Sequence, residues 1–119
     1  MREFLMDGGS LRSVTLEDKY QLQKGRVFIS GTQALVRLPI MQRQRDEAAG
    51  LDTAGFISGY RGSPIGGYDN ALWAAKSYLA KHDIVFRPGL NDDLAATAIW
   101  GTQQLDFVPG RKVDGVFSI

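Results

Sequence analysis

Two adjacent carboxylates, Asp92 and Asp93, follow Asn91 at the head of the alanine-rich run "NDDLAATAIWG". Asparagine is a favoured helix cap, and acids in a first helical turn gain a few tenths to about 1 kcal/mol from the dipole. A carboxylate partly buried beside a ligand does different work: burial raises its pKa, so it can hold or share a proton. Spacing alone favours the helix-start reading, with Arg87 nearby as an ordinary ion-pair partner. The second stretch with chemical potential is "SGYRGSPIGGYD", with four glycines, a proline and two serines. Glycine permits close backbone approach to a ligand, and free N–H groups ahead of a helix favour anions. The stretch is neither a Walker A loop nor a dinucleotide fingerprint, since the lysine and the G-x-G-x-x-G spacing are absent. A tight turn that needs glycine explains it equally well.

These residues must be carried by one domain at most, because the chain has 119 residues. Apolar residues make up 44% and charged residues 23%, the balance of a globular protein rather than a disordered one. Fourteen basic and thirteen acidic side chains nearly cancel, which disfavours nucleic acid as a partner. There is no cysteine, so disulfides, thiolate catalysis and a cysteine-held iron–sulfur cluster are excluded within the chain. The single histidine, His82, argues against a histidine-rich metal site. Apolar runs fall far short of a membrane span and no secretory leader is evident, so the expected compartment is the cytoplasm.

The elements follow from periodicity. Residues 1–25 read as a polar tail in which Thr15, with Asp18 three residues on, can open a short helix. Residues 26–119 read as an α/β unit. "RVFIS" (26–30) is β-branched and aromatic, which predicts a strand. Residues 32–50 predict a helix capped by Thr32, with Ala34, Leu35, Leu38 and Met41 on one face, a kink or break at Pro39 and a stop at Gly50. "TAGFISG" (53–59) predicts a strand, and residues 68–82 a helix capped by Asp69 with Ala71, Leu72, Ala75, Tyr78 and Leu79 inward. "DIVF" (83–86) and "DGVFSI" (114–119) are strands flanking a helix at 91–105 that buries Leu94, Ala98, Gly101 and Leu105. Alternating strands and helices imply a parallel sheet with flanking helices. Loops leaving the strand ends of such a sheet open onto one edge, where ligands bind. Here they are residues 31–33, 59–67 and 87–91.

Two segments, "GTQALVRLPIMQRQRDEAAGLDTAGFISGYRGSPIGGYDNALWAAK" and "IVFRPGLNDDLAATAIWGTQQ", closely resemble the amino-terminal part of the indolepyruvate:ferredoxin oxidoreductase family. These are thiamine diphosphate-dependent 2-oxoacid:ferredoxin oxidoreductases, and the full family protein is several times longer. The resemblance runs from about Val14 to the last residue. It implies a partial thiamine diphosphate-binding fold, the domain that contacts the aminopyrimidine half of the cofactor. It places the diphosphate, Mg²⁺ and the 4Fe-4S clusters outside this chain. In the family a glutamate contacts ring nitrogen N1′ and shares a proton there. By alignment Asn91 matches the preceding asparagine, while Asp92 occupies the glutamate position with a side chain one methylene shorter. A misplacement of about 1 Å can cost on the order of a hundredfold in rate, so Asp93 is the alternative reaching group. Gly31 and Thr32 belong to the implied cofactor set.

Tyr60, Ser63 and Pro64 match the Tyr, Thr and Pro of a family turn near the substrate, and Arg61 replaces a proline where it can attract a 2-oxoacid carboxylate. Ile65-Gly66 replaces a serine pair. Trp73 and Trp100 read as core or interface anchors. The resemblance therefore implies oxidative decarboxylation of an aryl pyruvate to an acyl-CoA, with electrons reaching ferredoxin through the remaining domains of an oligomeric enzyme. Alone the chain is expected to lack turnover. Two alternatives stay open: a non-catalytic interaction module of such an enzyme, and an anion- or nucleotide-binding domain using the glycine loop.

Overall fold

The computed structural model describes residues 6–7, 10–62 and 64–119. Its framework is a three-stranded, all-parallel sheet in the order β4-β3-β5, where β3 is Thr53–Ile57, β4 is Ile84–Phe86 and β5 is Gly115–Ser118. Two short strands, β1 (Met6–Asp7) and β2 (Ser10–Leu11), form a separate antiparallel pair. The helices are α1 (Asp18–Gln21), α2 (Gly31–Ala48), α3 (Gly67–Ala74), α4 (Lys76–Lys81) and α5 (Asp92–Thr102), with a 3₁₀ turn at Leu105–Phe107. The expected α/β class, parallel sheet and flanking helices are therefore observed.

The helices divide between the two faces. Val36 and Ile40 of α2, Leu72 of α3 and Leu79 of α4 pack with Ile57 and Ile84 in one buried cluster that Phe117 joins. Residues alternate along a strand, so Ser118 faces the other way. There the Thr102 hydroxyl of α5 meets Ser118 Oγ at 2.9 Å. The centre of the sheet is tight: a Cβ on Gly55 would lie 2.8 Å from the Phe117 ring and 2.9 Å from Ile84. Tyr20 of α1 enters the same cluster as the α2–α4 helices, and Arg37 of α2 donates to the Lys19 and Leu22 carbonyls that end α1. Thr15 bonds to Asp18 through both N–H and hydroxyl, and the Arg12 guanidinium beside Asp18 lowers its carboxyl pKa.

Several expectations are corrected. Residues 26–30 form no strand, and Phe28 is 99% exposed. High β propensity needs a partner to become a strand. Ser30, not Thr32, caps α2, in a reciprocal capping box with Gln33. The buried face of α2 is Val36, Pro39, Ile40 and Arg43, while Leu35, Leu38 and Met41 are exposed. Pro39 neither ends nor divides the helix. Residues 68–82 form two helices that meet at Ala75. Asp69 caps nothing, because Gly66 holds the N-cap position of α3. On α5 the inward residue is Ala95, flanked by half-buried Ile99 and Thr102, and Leu94, Ala98 and Gly101 point outward.

At the amino-terminal edge of the sheet, Arg43 is 5% exposed and reaches Asp52 at 3.0 Å, Glu47 at 3.3 Å and Asp83 at 3.5 Å. Asp52 N–H in turn donates to Asp114 Oδ2 at 2.8 Å. One buried cation thus gathers the residues that lead into all three strands.

Candidate functional site

The opposite, carboxyl-terminal edge carries the loops. Gly59, just beyond β3, accepts a hydrogen bond from Gly89 N–H at 2.7 Å, and Arg87 N–H donates to Ile57 at 2.9 Å. On the other side Ser58 N–H donates to the Ile119 carbonyl at 3.0 Å. Two of the three expected loops, 59–67 and 87–91, therefore do share a rim. The third does not leave a strand, since residues 26–30 are not one. Gly31 and Thr32 lie instead in the first, exposed turn of α2. That turn is one helical turn from Leu35, whose carbonyl accepts from the Tyr68 hydroxyl at the rim at 3.3 Å.

A cavity of about 190 Å³ opens at this rim, walled by Ile57, Tyr60, Tyr68, Asp69, Phe86 and Ile119 among others. An apolar cavity of about 150 Å³ is known to accept benzene, so this one has room for a single substituted ring. Burial pushes the Tyr68 phenol up to about 12, so it remains a neutral donor at every physiological pH. Asp69 is 8% exposed and accepts from Arg61 Nε at 3.1 Å, with Nη2 at the same distance. The pair spans the glycine turn from one end to the other. Arg61 itself is largely in solvent, and its Nη1 has no partner among the described residues.

All but one of the expected site residues fall within the described structure. Tyr60 walls the cavity, Arg61 pairs with the cavity-lining Asp69, and Pro64 is exposed in the turn. Ser63 lies outside the described residues. Asn91 is the N-cap of α5, its side chain accepting from Leu94 N–H at 2.8 Å. Asp92 and Asp93 occupy the first turn and are exposed, and neither walls the cavity. Gly89 lets the loop run against α5, since a Cβ there would fall 2.8 Å from that of Ala95.

The residue missed from sequence is Asp69, the most enclosed carboxylate of the rim. The available signal was an arginine and an aspartate bracketing a glycine-rich turn, which reads as a closed ion pair more naturally than as a cap. Among the described residues no cluster of three or more histidine or acidic side chains is placed to hold a metal ion. No described helix is long and apolar enough to cross a membrane. No protein-family model matches the chain, and neither a curated protein nor a solved structure is significantly similar to it.

Proposed function

We propose that the chain is the aminopyrimidine-binding part of a thiamine diphosphate-dependent 2-oxoacid:ferredoxin oxidoreductase acting on aryl pyruvates. Two things support this reading: the family resemblance of the two long segments, and one observation about the rim. The Gly89–Gly59 hydrogen bond laces the loop before α5 to the loop after β3, so Asn91, Asp92 and Tyr60 belong to a single edge. The residue types suit the ring. Carboxylates can accept from or share a proton with N1′, Asn91 fixes the helix that carries them, and Tyr60 and Phe86 offer aromatic walls.

Exposure sets the limit of what these residues do alone. Asp92 and Asp93 are solvated here, and a solvated acid shares a proton poorly. In this reading a diphosphate-binding domain closes over the rim and supplies the desolvation, Mg²⁺ and phosphate contacts. When bound, the cofactor would supply a nucleophilic carbon, and Asn91, Asp92 and Tyr60 would hold its ring. This chain's part is to hold a proton at Asp92, to orient the ring, and to draw the substrate carboxylate toward Arg61, which Asp69 keeps in place. The oxidation itself ends on ferredoxin through clusters carried elsewhere. A second reading, a non-catalytic interaction module, is favoured by the outward Leu94 and Trp100 of α5.

Thiamine without phosphates is the discriminating probe, because the phosphate contacts are assigned to another domain. Chemical-shift mapping with millimolar thiamine is expected to move the amides of Asn91, Asp92, Asp93 and Tyr60, and Asp92→Ala is expected to abolish the effect. Shifts confined to other surfaces, or a response to a nucleotide in place of thiamine, would sink the proposal.

A further inference from the structure

Among the described residues, strand β4 is hydrogen-bonded on one side only. Asp83 C=O accepts from Gly55 N–H at 3.0 Å and Arg87 N–H donates to Ile57 C=O at 2.9 Å. Strand residues alternate in direction, so Val85 also points its N–H and C=O toward β3 while those of Ile84 and Phe86 point away. No described backbone group receives them. Beside this open edge runs a groove of about 520 Å³, walled by Trp73, Lys76, Leu79, Val85, Phe86 and Arg87 among others. The Trp73 ring sits 5.3 Å from that of Phe86, so the groove has a fixed aromatic wall. Val85 is 48% exposed on the other face.

From this geometry we infer that the β4 edge is the contact between two copies of this chain, joined antiparallel about a two-fold axis through Val85. Three observations select that occupant. In an antiparallel ladder, groups that point outward must sit in hydrogen-bonded pairs. Centring on Val85 sets Ile84 opposite the partner's Phe86 and Phe86 opposite the partner's Ile84, which satisfies the N–H and C=O of both residues. Centring on Phe86 would set Ile84 against Pro88, which has no N–H to give. Charge then agrees with the register. With the axis at Val85, Asp83 faces the partner's Arg87, and Arg87 faces the partner's Asp83, giving two opposite-charge cross-strand pairs. Asp83 holds Arg43 at 3.5 Å yet is two-thirds exposed, which leaves room for a second cation, and Arg87 carries no ion pair among the described residues. A continuous six-stranded sheet results, with the two Val85 side chains touching on the axis. The inference does not depend on the thiamine reading, although Phe86 walls both the rim cavity and this groove, because it rests on the outward N–H and C=O groups of β4 alone.

The axis position supplies the test. In sedimentation equilibrium on the 119-residue chain up to about 1 mM, the weak end of specific affinity, the apparent mass should rise from 13.1 kDa toward twice that value. Val85→Glu and Val85→Lys each put two like charges on the axis and should stay monomeric. Mixing the two variants puts opposite charges there and should restore the dimer. Because Val85 is half exposed, both variants should keep the wild-type circular dichroism spectrum. The amides of Ile84 and Phe86 should exchange more slowly with solvent as wild-type concentration rises. A wild-type chain that is monomeric throughout overturns the inference. So does a dimer that persists in both single variants, which would assign the contact to another face such as α5, and so does a mixture that fails to dimerise.

Discussion

The Tyr68 hydroxyl donates to the Leu35 carbonyl at 3.3 Å, the acceptor that Pro39 leaves without a helical donor four residues on. Interior proline normally costs a helix about 3 kcal/mol, partly through that orphaned carbonyl. Here a side chain from α3 supplies the missing donor, and α2 continues unbroken. The same tyrosine walls the rim cavity, so one residue joins the longest helix to the candidate site.

Tyr68→Phe should therefore cost about 0.5–1.5 kcal/mol in urea denaturation. In a Pro39→Ala background the carbonyl regains its own N–H donor, so the same exchange should cost less. Equal costs in the two backgrounds would contradict the assignment.

The pH dependence has a definite sign. Burial raises the folded-state pKa of Tyr68 from 10.0 to about 12, so its contribution is intact below pH 10. Between those two values the unfolded chain loses its phenolic proton first, and stability falls as pH rises. Tyr20 is raised by burial in the same direction. Stability measured at intervals across that window should decline, and Tyr68→Phe should flatten the decline to the part owed to Tyr20.

The Arg43 cluster predicts an asymmetry. Asp52 and Asp83 are two-thirds exposed, so Arg43→Met leaves both solvated and should cost only about 1–2 kcal/mol. Asp52→Asn combined with Asp83→Asn leaves the buried guanidinium with Glu47 as its one anionic partner among the described residues, and should cost about 3 kcal/mol or more. Guanidinium denaturation of both variants would test this, and the reverse order would refute it.

Gly55→Ala should destabilise the sheet by about 1–3 kcal/mol, because the new methyl group meets the Phe117 ring and Ile84 closer than van der Waals contact allows. Thermal unfolding of this single variant is sufficient.

At the candidate site, capping and chemistry should separate. Asn91→Ala should lose about 1 kcal/mol of stability with its cap. Asp92→Asn should change stability by no more than about 0.5 kcal/mol, yet remove the thiamine-induced shifts. If Asp93→Asn removes them instead, the proton-sharing role moves one residue along.

Three strands and the main helices were legible because short apolar runs ended at glycine or aspartate and the helical runs were long. The inward faces were less so. On α2 the buried stripe includes Pro39 and Arg43, which a hydrophobic pattern discounts, while Leu35, Leu38 and Met41 make a competing apolar stripe that faces out. On α5 both flanks are apolar, and Ala95 rather than Leu94 faces the sheet because the backbone at Gly89 admits only a small neighbour. The shared rim of loops 59–67 and 87–91 followed from topology. The Arg61–Asp69 pair depended on the path of the intervening turn, which no local propensity encodes.

The two tryptophans lie on opposite faces of the sheet, Trp73 beside the β4 edge and Trp100 turned outward from α5. At 41% and 66% exposure, both indoles retain solvent to lose. The protein thus carries two intrinsic fluorophores with separate fields of view. In Trp100→Phe an emission shift toward the blue reports only what covers the strand edge, and in Trp73→Phe only what settles on the outer helix.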